Sequence, residues 1–201
     1  MTCIVATTTN DGAVFMGADS QSTSGWDKRQ AGESKVFVLG SLLIGYTTSF
    51  RMGQLLRYSL KLPETSLTVG GIYYMTTVFV PAIRALFKDN GFTKIENNEE
   101  SGGTFMVGVA GRRTGFSVDL EPKLYRIQDD FYVNPTVEPY EAIGCGDDYA
   151  LATMRLLSLQ AEADPNRAMD PTEFLTVALD NAAYFSNGVG RPFVFRSVEV
   201  E

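Results

Sequence analysis

The chain has 201 residues, of which 44% are hydrophobic, so it can bury one sizeable core, and we predict a single domain over residues 1–201. Its net charge of −7 and its lack of a basic segment argue against nucleic acid and anionic membranes as partners. The absence of histidine excludes Ser-His-Asp and Cys-His catalysis and histidine-bound metals, so a catalytic base must be another group.

The two cysteines, Cys3 and Cys145, lie far apart in the sequence and form no metal-ligand motif. We interpret both as small buried hydrophobic residues in a reduced, cytoplasmic setting. No apolar run reaches the roughly 18 residues that a membrane span requires, and no secretory signal peptide is recognised at the start. We therefore predict a cytoplasmic protein without a membrane span, a metal ion or another cofactor.

The N-terminal segment predicts a β-hairpin that follows a candidate nucleophile. Apolar, β-rich runs over residues 3–9 and 13–16 flank the turn sequence Asn10-Asp11-Gly12. Thr2 stands directly before the first run. Removal of Met1 would leave Thr2 with a hydroxyl and a free amine, so one residue would carry its own nucleophile and its own base.

A loop and a second hairpin are predicted next. Residues 20–33 are polar and lack an apolar pattern, which predicts a loop that includes Ser20, Ser22 and Ser24. Residues 35–39 and 42–47 predict two strands joined at Gly40-Ser41.

Two helices complete the first half. Ser49 is a predicted N-cap, and its helix ends before Pro63, with an apolar stripe formed by Met52, Leu55, Leu56 and Leu60. A second helical stretch contains Pro81, which predicts a kink or a break, and ends at Asn90-Gly91. Its apolar residues, spaced by three or four, are Ile72, Met75, Phe79, Ile83 and Leu86.

The second half predicts strands, two helices and a final strand. The predicted segments are, in order, an acidic loop over residues 96–103, strands over 104–110 and 116–120 around a turn at 112–115, a strand over 124–127, an extended run up to Ile143, a helix opened by residues 144–148, a helix opened by residues 170–173 and a strand over 193–198. The apolar face of the first of these helices contains Leu151, Met154, Leu157 and Leu159. The second begins with an N-cap Asp170, Pro171 and the acidic Glu173, which together are typical of a helix start.

Blocks of strands and blocks of helices therefore alternate along the chain. This order favours antiparallel sheets with helices packed on their outer faces. We predict an α+β protein, and a four-layer α-β-β-α sandwich of two antiparallel sheets fits the order of the elements.

Several short motifs resemble those of proteasome β-type subunits, and the resemblance follows the element order through nearly the whole chain. They are Thr2, Gly17-Ala18-Asp19, Lys35-Val36, Gly45 and Ala142-Ile143-Gly144-Cys145-Gly146. The most similar relatives in pattern are bacterial: the self-compartmentalising protease that works with an AAA+ ATPase, and a separate bacterial proteasome homologue. All are N-terminal nucleophile (Ntn) hydrolases, so the resemblance implies the four-layer Ntn-hydrolase fold.

The resemblance also implies a role for each motif. The Thr2 hydroxyl would attack the scissile carbonyl, and its free amine, with an ordinary pKa of about 8, would be the general base. Lys35 would favour the alkoxide, and Asp19 would hold Lys35 in place. The Gly45 amide would donate to the oxyanion, a contribution typically worth about 3 kcal/mol.

Two positions depart from the family pattern. Cys145 stands where the family has a serine beside the nucleophile, and a thiol is a weaker hydrogen-bonding partner. Ser186 matches a late serine of the family, but Ala183 occupies the place of an aspartate that precedes it. The orienting role of that aspartate is either unfilled or taken over by another group.

Each motif residue also has a structural interpretation when taken alone. Asp19 can cap the turn after its strand, Lys35 can be a solvated lysine, and Gly45 can serve close packing. Asp147-Asp148 fits the N-terminus of a helix better than a pair of catalytic carboxylates. Leu43 would be compatible with an apolar substrate pocket near the site.

The resemblance favours a threonine-type endopeptidase that degrades peptides or unfolded proteins inside a homo-oligomeric ring, with an AAA+ ATPase as the unfoldase. One alternative is a non-catalytic ring or scaffold protein in which Met1 is retained and the Thr2 amine stays blocked. Another is an Ntn amidohydrolase that acts on a small amide.

Overall fold

The computed structural model describes residues 1–24, 27–62, 71–96, 99–114 and 117–199. Its strands are β1 (Cys3–Thr8), β2 (Val14–Asp19), β3 (Gln21–Ser24), β4 (Asp27–Gln30), β5 (Val36–Leu39), β6 (Leu42–Tyr46), β7 (Lys94–Glu96), β8 (Glu99–Ser101), β9 (Phe105–Val109), β10 (Arg112–Thr114), β11 (Ser117–Leu120), β12 (Lys123–Ile127), β13 (Val133–Pro135), β14 (Tyr140–Gly144) and β15 (Phe193–Val198). Its helices are α1 (Phe50–Gln54), α2 (Gly71–Tyr74), α3 (Val80–Asp89), α4 (Asp147–Ala163) and α5 (Pro171–Phe185).

The N-terminal hairpin forms the centre of a four-stranded antiparallel sheet. Strands β1 and β2 pair with Ile4 opposite Ala18, as the Asn-Asp-Gly turn predicts. The sheet has the order β14-β1-β2-β15, so the last strand of the chain lies beside β2 and β14 lies beside β1. Cys3 is opposite Gly144 in this register, which brings the start of the chain next to the loop that precedes α4.

A five-stranded antiparallel sheet has the order β13-β12-β9-β6-β5. The predicted hairpin at Gly40-Ser41 is confirmed as β5 and β6, with Val36 opposite Gly45. Strand β6 also pairs with β9, where Gly45 is opposite Met106.

Three segments predicted as loops or turns contain short hairpin strands instead. Residues 20–33 contain β3 and β4, with Gln21 opposite Gln30. Residues 96–103 contain part of the β7–β8 pair, and β10 occupies most of the predicted turn at 112–115. The cause of the error is the same in each case. These strands are stabilised by backbone pairing, and their polar sequences carry no apolar alternation from which a strand could be predicted. Gly115 and Phe116 lie outside the described residues.

The first two helical stretches contain π-helical turns. Ser49 caps α1 by accepting a hydrogen bond from the Met52 amide, and a π turn, Leu55–Ser59, continues it. Pro63 lies outside the described residues. In the second stretch the π turn Met75–Phe79 joins α2 to α3, which then contains Pro81 in its first turn, where an amide donor is not needed. The predicted interruption therefore takes the form of this π turn.

The C-terminal helices begin at the predicted sequences. Asp147 and Asp148 lie in the first turn of α4. The Asp170 carboxylate caps α5 by accepting a hydrogen bond of 2.8 Å from the Thr172 amide. Two residues of the predicted apolar stripes are largely exposed: Leu159 of α4 is 43% exposed, and Ile72 of α2 is 45% exposed. These two stripes are therefore shorter than predicted.

Apolar side chains form three clusters. One combines both sheets and contains Ile4, Ala6, Val14, Met16, Ala18, Val36, Leu43, Met106, Leu124 and Ile143. A second joins the five-stranded sheet to α1, α2 and α3 through residues such as Ile44, Met52, Met75, Phe79, Ile83 and Phe105. A third joins the four-stranded sheet to α4 and α5 through residues such as Val5, Ala142, Met154, Leu175, Ala178 and Leu179. The α+β class with antiparallel sheets is confirmed.

None of the helices in the described ranges combines the length and the apolar character needed to cross a membrane.

Candidate active site

A buried ion pair joins the ends of the two sheets. Asp19 is the last residue of β2, Lys35 directly precedes β5, and Lys35 Nζ lies 2.9 Å from Asp19 Oδ1. The side chains are 0% and 1% exposed, respectively. Because an isolated charge is costly to bury, each of these residues needs the other. The interpretation of Lys35 as a solvated lysine is therefore wrong.

Lys35 has two further partners, and both are backbone carbonyl oxygens. Its Nζ donates to the Gln21 oxygen at 2.6 Å and to the Met1 oxygen at 3.5 Å. Burial lowers the pKa of Lys35, and the negative charge and hydrogen bond of Asp19 oppose that shift. All the partners are acceptors, so the ammonium form fits this position.

The Asp19 carboxylate connects three segments of chain. Besides Lys35, its Oδ1 accepts from the Cys3 amide at 2.9 Å, and its Oδ2 accepts from the Gln21 amide at 3.0 Å. The capping interpretation thus also holds, since Asp19 caps the backbone where β2 turns into β3. The same carboxylate binds the backbone directly after Thr2.

Thr2 lies beside this pair and is only 7% exposed. Its hydroxyl donates to the Met1 carbonyl oxygen at 2.7 Å, which is the oxygen that Lys35 also contacts. The Thr2 carbonyl oxygen in turn accepts from the Cys145 amide at 2.8 Å. Lys35 and the Thr2 hydroxyl are thus linked through one carbonyl oxygen of the peptide bond that precedes Thr2.

Cys145 and Ser186 lie on the other side of Thr2. The Cys145 thiol donates to the Thr2 carbonyl oxygen at 3.4 Å, and Ser186 Oγ lies 3.7 Å from Cys145 Sγ. Cys145 is exposed, so its interpretation as a buried hydrophobic residue is wrong, whereas Cys3 is fully buried as predicted. Burial, with a smaller contribution from Asp19, raises the pKa of the Cys3 thiol, which keeps it protonated.

Gly45 lies inside the five-stranded sheet, where its amide belongs to the backbone ladder. The Thr47 amide donates to the carbonyl oxygen of Thr104. Hydrogen-bonded pairs recur every two residues in an antiparallel ladder, so the Gly45 amide faces Met106, the residue opposite it in β9. A Cβ atom at position 45 would lie 2.5 Å from the sulfur of Met16, so close packing explains the glycine. This geometry offers no support for the predicted oxyanion role.

Leu43 and Ala183 also have apolar surroundings. Leu43 is fully buried in the cluster that combines both sheets, so the expectation that it borders a substrate pocket is wrong. Ala183 packs against the cluster beneath α4 and α5. Because its side chain is a methyl group, Ala183 brings no carboxylate to the site.

Gln21 and the Met1 carbonyl are parts of the site that sequence reasoning missed. Gln21 is 2% exposed, and its backbone contacts both members of the ion pair. Its position two residues after Asp19 was a signal, because a residue that starts the next strand must lie close to the end of β2. Within the described part of the chain, no group of three or more His, Cys, Asp or Glu side chains could hold a metal ion.

Comparisons with known proteins identify the fold. No protein-family model matches the sequence, and no curated protein matches it. Among solved structures, BPH of Thiobacillus denitrificans in complex with epoxomicin matches with a TM-score of 0.70 and 18% identity, covering 98% of this chain and 99% of that chain.

Two other structures have the same fold. Eukaryotic HslV from Trypanosoma brucei matches with a TM-score of 0.62 and 18% identity, covering 99% of both chains. The Anbu (Gly-1) mutant from Hyphomicrobium sp. strain MC1 matches with a TM-score of 0.62 and 15% identity, covering 97% of this chain and 80% of that chain. The resemblance to proteasome-like subunits is therefore confirmed as a likeness of fold.

Proposed function

We propose that this protein is a threonine-type endopeptidase of the proteasome-like kind, with Thr2 as the nucleophile once Met1 has been removed. The observation that carries the proposal is that Thr2 lies buried beside the Asp19–Lys35 ion pair. The Asp19 carboxylate accepts from the Cys3 amide directly after Thr2, and Lys35 contacts the same carbonyl oxygen as the Thr2 hydroxyl. A lysine buried next to a hydroxyl at the start of a strand has the arrangement needed to activate that hydroxyl.

The chemistry follows from these groups. The free amine of Thr2 takes the proton of the hydroxyl as its oxygen attacks the carbonyl carbon of a peptide bond. The positive charge of Lys35 favours the developing alkoxide, and Asp19 keeps that charge in place. Collapse of the tetrahedral adduct breaks the C–N bond, and the amine leaving group receives a proton. Water then hydrolyses the ester of Thr2 and releases the second product.

Cys145 and Ser186 are the proposed polar partners of the nucleophile. They form a chain from the Ser186 hydroxyl through the Cys145 thiol to the Thr2 carbonyl. Because a thiol is a weak hydrogen-bond donor and a weak acceptor, we infer that this side of the site relays protons less effectively with a cysteine at position 145 than it would with a serine.

We further propose that residues 1–201 form one domain in a four-layer arrangement and assemble as a homo-oligomeric ring in the cytoplasm. The apolar clusters on both sides of the paired sheets support the layer order. Exposed apolar residues on α4 and α5, including Leu156, Tyr184 and Phe185, support contacts between copies. Peptides or unfolded proteins would be the substrates, delivered by an AAA+ ATPase, as the family resemblance implies.

A second candidate is a non-catalytic ring or scaffold protein that retains Met1. It is favoured by the same carbonyl oxygen, because a retained Met1 satisfies both the Thr2 hydroxyl and Lys35. Ala183 favours it as well, since no carboxylate orients the nucleophile from that position. In this state the Thr2 nitrogen is part of an amide bond and cannot act as a base.

The intact mass of the untagged protein, before and after incubation with epoxomicin, separates these functions. A peptide α′,β′-epoxyketone reacts with a hydroxyl and a free amine on the same N-terminal residue. We expect the mass to show loss of Met1 and then one stoichiometric adduct, which Thr2→Ala abolishes. Full retention of Met1 with no adduct would contradict the peptidase and favour the scaffold.

A further inference from the structure

Gln21 holds both members of the buried ion pair through its backbone. Its amide donates to Asp19 Oδ2 at 3.0 Å, and its carbonyl oxygen accepts from Lys35 at 2.6 Å. The contact with the carbonyl oxygen is the shortest hydrogen bond that the Lys35 ammonium makes to a described residue. The position of the ammonium group therefore depends on where the backbone of Gln21 lies.

The side chain of Gln21 reaches a different part of the site. Its Nε2 donates to the carbonyl oxygen of Asn187 at 2.6 Å, across 166 residues of sequence. Asn187 directly follows Ser186 in the turn after α5, and the neighbouring Ser20 amide donates to the Gly190 oxygen at 3.2 Å. Gln21 and Ser20 thus attach the turn formed by residues 186–190 to the end of β2.

This turn carries the groups that surround the nucleophile from the second side. Ser186 Oγ accepts from the Gly188 amide at 3.3 Å and lies 3.4 Å from the Cys145 carbonyl oxygen. A Cβ atom at Gly188 would lie 2.5 Å from the Cys145 sulfur, so the turn packs directly on Cys145. A shift of the turn would therefore move both Ser186 and Cys145 relative to Thr2.

We propose that Gln21 is a positioning residue that couples the Asp19–Lys35 pair to the Ser186 turn, and that it fills the orienting role for which Ala183 has no carboxylate. The inference rests on the proposed function for its catalytic consequence. The connection itself is a property of the fold: one buried residue binds Lys35 with its backbone and the Ser186 turn with its side chain.

A neutral amide is suited to this position. The Asn187 carbonyl oxygen requires a donor, and a carboxylate would offer only acceptors while adding a second negative charge near Asp19. The other atom of the amide, Gln21 Oε1, has no hydrogen-bond partner among the described residues. Gln21→Met therefore removes the amide that donates to Asn187, keeps a similar volume and leaves no unsatisfied polar atom on the side chain.

The test compares Gln21→Met with Gln30→Met, which changes the exposed glutamine directly opposite in the same hairpin. Intact mass follows the covalent modification of Thr2 by epoxomicin over time. It gives kinact, the maximal rate constant of modification, and KI, the epoxomicin concentration at half of that rate. We expect Gln21→Met to lower kinact by between about 10-fold and 100-fold with KI changed by less than about threefold. Gln30→Met should leave both constants unchanged. Equal kinact values in the two variants would overturn the proposal.

A second measurement does not require activity. Hydrogen exchange of the amides in residues 186–190 should be at least about 10-fold faster in Gln21→Met than in Gln30→Met, because the turn loses its side-chain anchor. Unchanged exchange would overturn the proposal, even for a protein that takes up no epoxomicin. Failure of wild-type labelling together with faster exchange would refute the proposed peptidase and leave the coupling through Gln21 standing.

Gly190→Ala provides the same test without altering Gln21. A Cβ atom at position 190 would lie 2.4 Å from Gln21 Oε1, the terminal oxygen of the side chain, so we expect it to displace the amide from Asn187. If Gln21→Met does not fold, this variant decides the matter. We expect the same fall in kinact and the same faster exchange, and wild-type values for both would overturn the proposal.

Discussion

Gly144 approaches Thr2 so closely that a Cβ atom at position 144 would lie 2.1 Å from the Thr2 carbonyl oxygen. That oxygen accepts from the Cys145 amide and the Cys145 thiol, at 2.8 Å and 3.4 Å. The glycine thus allows the end of β14 to lie directly against the backbone of Thr2, which precedes β1. The position of Thr2 is set from this side by backbone contact and from the other side by the Asp19–Lys35 pair.

Replacement of Gly144 by alanine should therefore do more than strain the backbone. Gly144 has a φ of 110°, and Gly40 has a φ of 59° with no atom within 4 Å of its Cβ position. Gly40→Ala measures the cost of a left-handed alanine in open space, about 1 kcal/mol. Gly144→Ala should destabilise the protein by at least about 2 kcal/mol more, because the new methyl group meets the Thr2 backbone and a φ of 110° is less accessible to alanine than a φ of 59°. Urea unfolding measures both, and equal losses would contradict the close approach.

Loss of the Lys35 charge should be strongly destabilising. Lys35→Met leaves the carboxylate of Asp19 buried without its ammonium partner, which typically costs about 3–5 kcal/mol. Arg84→Met is the matched control, because it breaks the surface ion pair with Glu100, in which Arg84 is 52% exposed, and a much smaller loss of stability is expected. Chemical unfolding at pH 7 gives both values. A loss in Lys35→Met no larger than that in Arg84→Met would contradict the buried pair.

Glu141 should lower stability at neutral pH. Burial raises its pKa above the usual range, so the folded protein binds its proton more tightly than the unfolded chain does. The protonated form of Glu141 therefore stabilises the fold relative to the ionised form. This stabilisation is fully present below about pH 4 and is lost as the pH rises through the raised pKa. Glu141→Gln keeps an oxygen for the Ala142 amide, a contact of 2.9 Å, and removes the titration.

The measurement is the difference in unfolding free energy between Glu141→Gln and the wild type as a function of pH. We expect Glu141→Gln to be the more stable protein at pH 7 and the difference to disappear below about pH 4. Glu138→Gln changes an exposed carboxylate three residues earlier and should show no such pH dependence. A difference that grows as the pH falls would have the wrong sign.

Cys145→Ser should accelerate the proposed reaction. The Cys145 side chain lies between Ser186 Oγ and the Thr2 carbonyl, at 3.7 Å and 3.4 Å. A hydroxyl at this position forms stronger hydrogen bonds than a thiol, so we expect kinact with epoxomicin to rise about two- to fivefold. Cys145→Ala removes the group and should lower kinact below the wild-type value. Equal rates in the serine and alanine variants would show that position 145 has no part in proton transfer.

Much of the fold was predictable because its signals are local. The Asn-Asp-Gly turn, the Ser49 cap and the Asp170 cap each depend on residues within a few positions, and the structure has the corresponding hairpin and helix starts. The polar hairpin β3–β4 was missed for the opposite reason. Its position is stabilised by contacts with a distant turn, such as the hydrogen bond from Gln21 Nε2 to the Asn187 carbonyl oxygen, and the sequence around it carries no apolar alternation.

The site divides in the same way. Motif order pointed to Thr2, Asp19 and Lys35, and these residues do lie together, while their catalytic roles stay a prediction. Gly45 was placed with them because its sequence neighbourhood resembles a motif. Its amide belongs to the sheet, because the pairing of β6 with β9 is a contact between residues about 60 positions apart.

The sequence alone thus determined the chemical groups available to this protein: no histidine, a threonine before the first strand, and the motif residues Asp19 and Lys35 at predicted strand ends. Only the tertiary structure decided which atoms surround those groups. It buries Lys35 among the oxygens of Met1, Asp19 and Gln21, and it exposes Cys145. The physical reason is that residue type fixes charge and hydrogen-bonding capacity, whereas burial and partners arise when segments distant in sequence pack together.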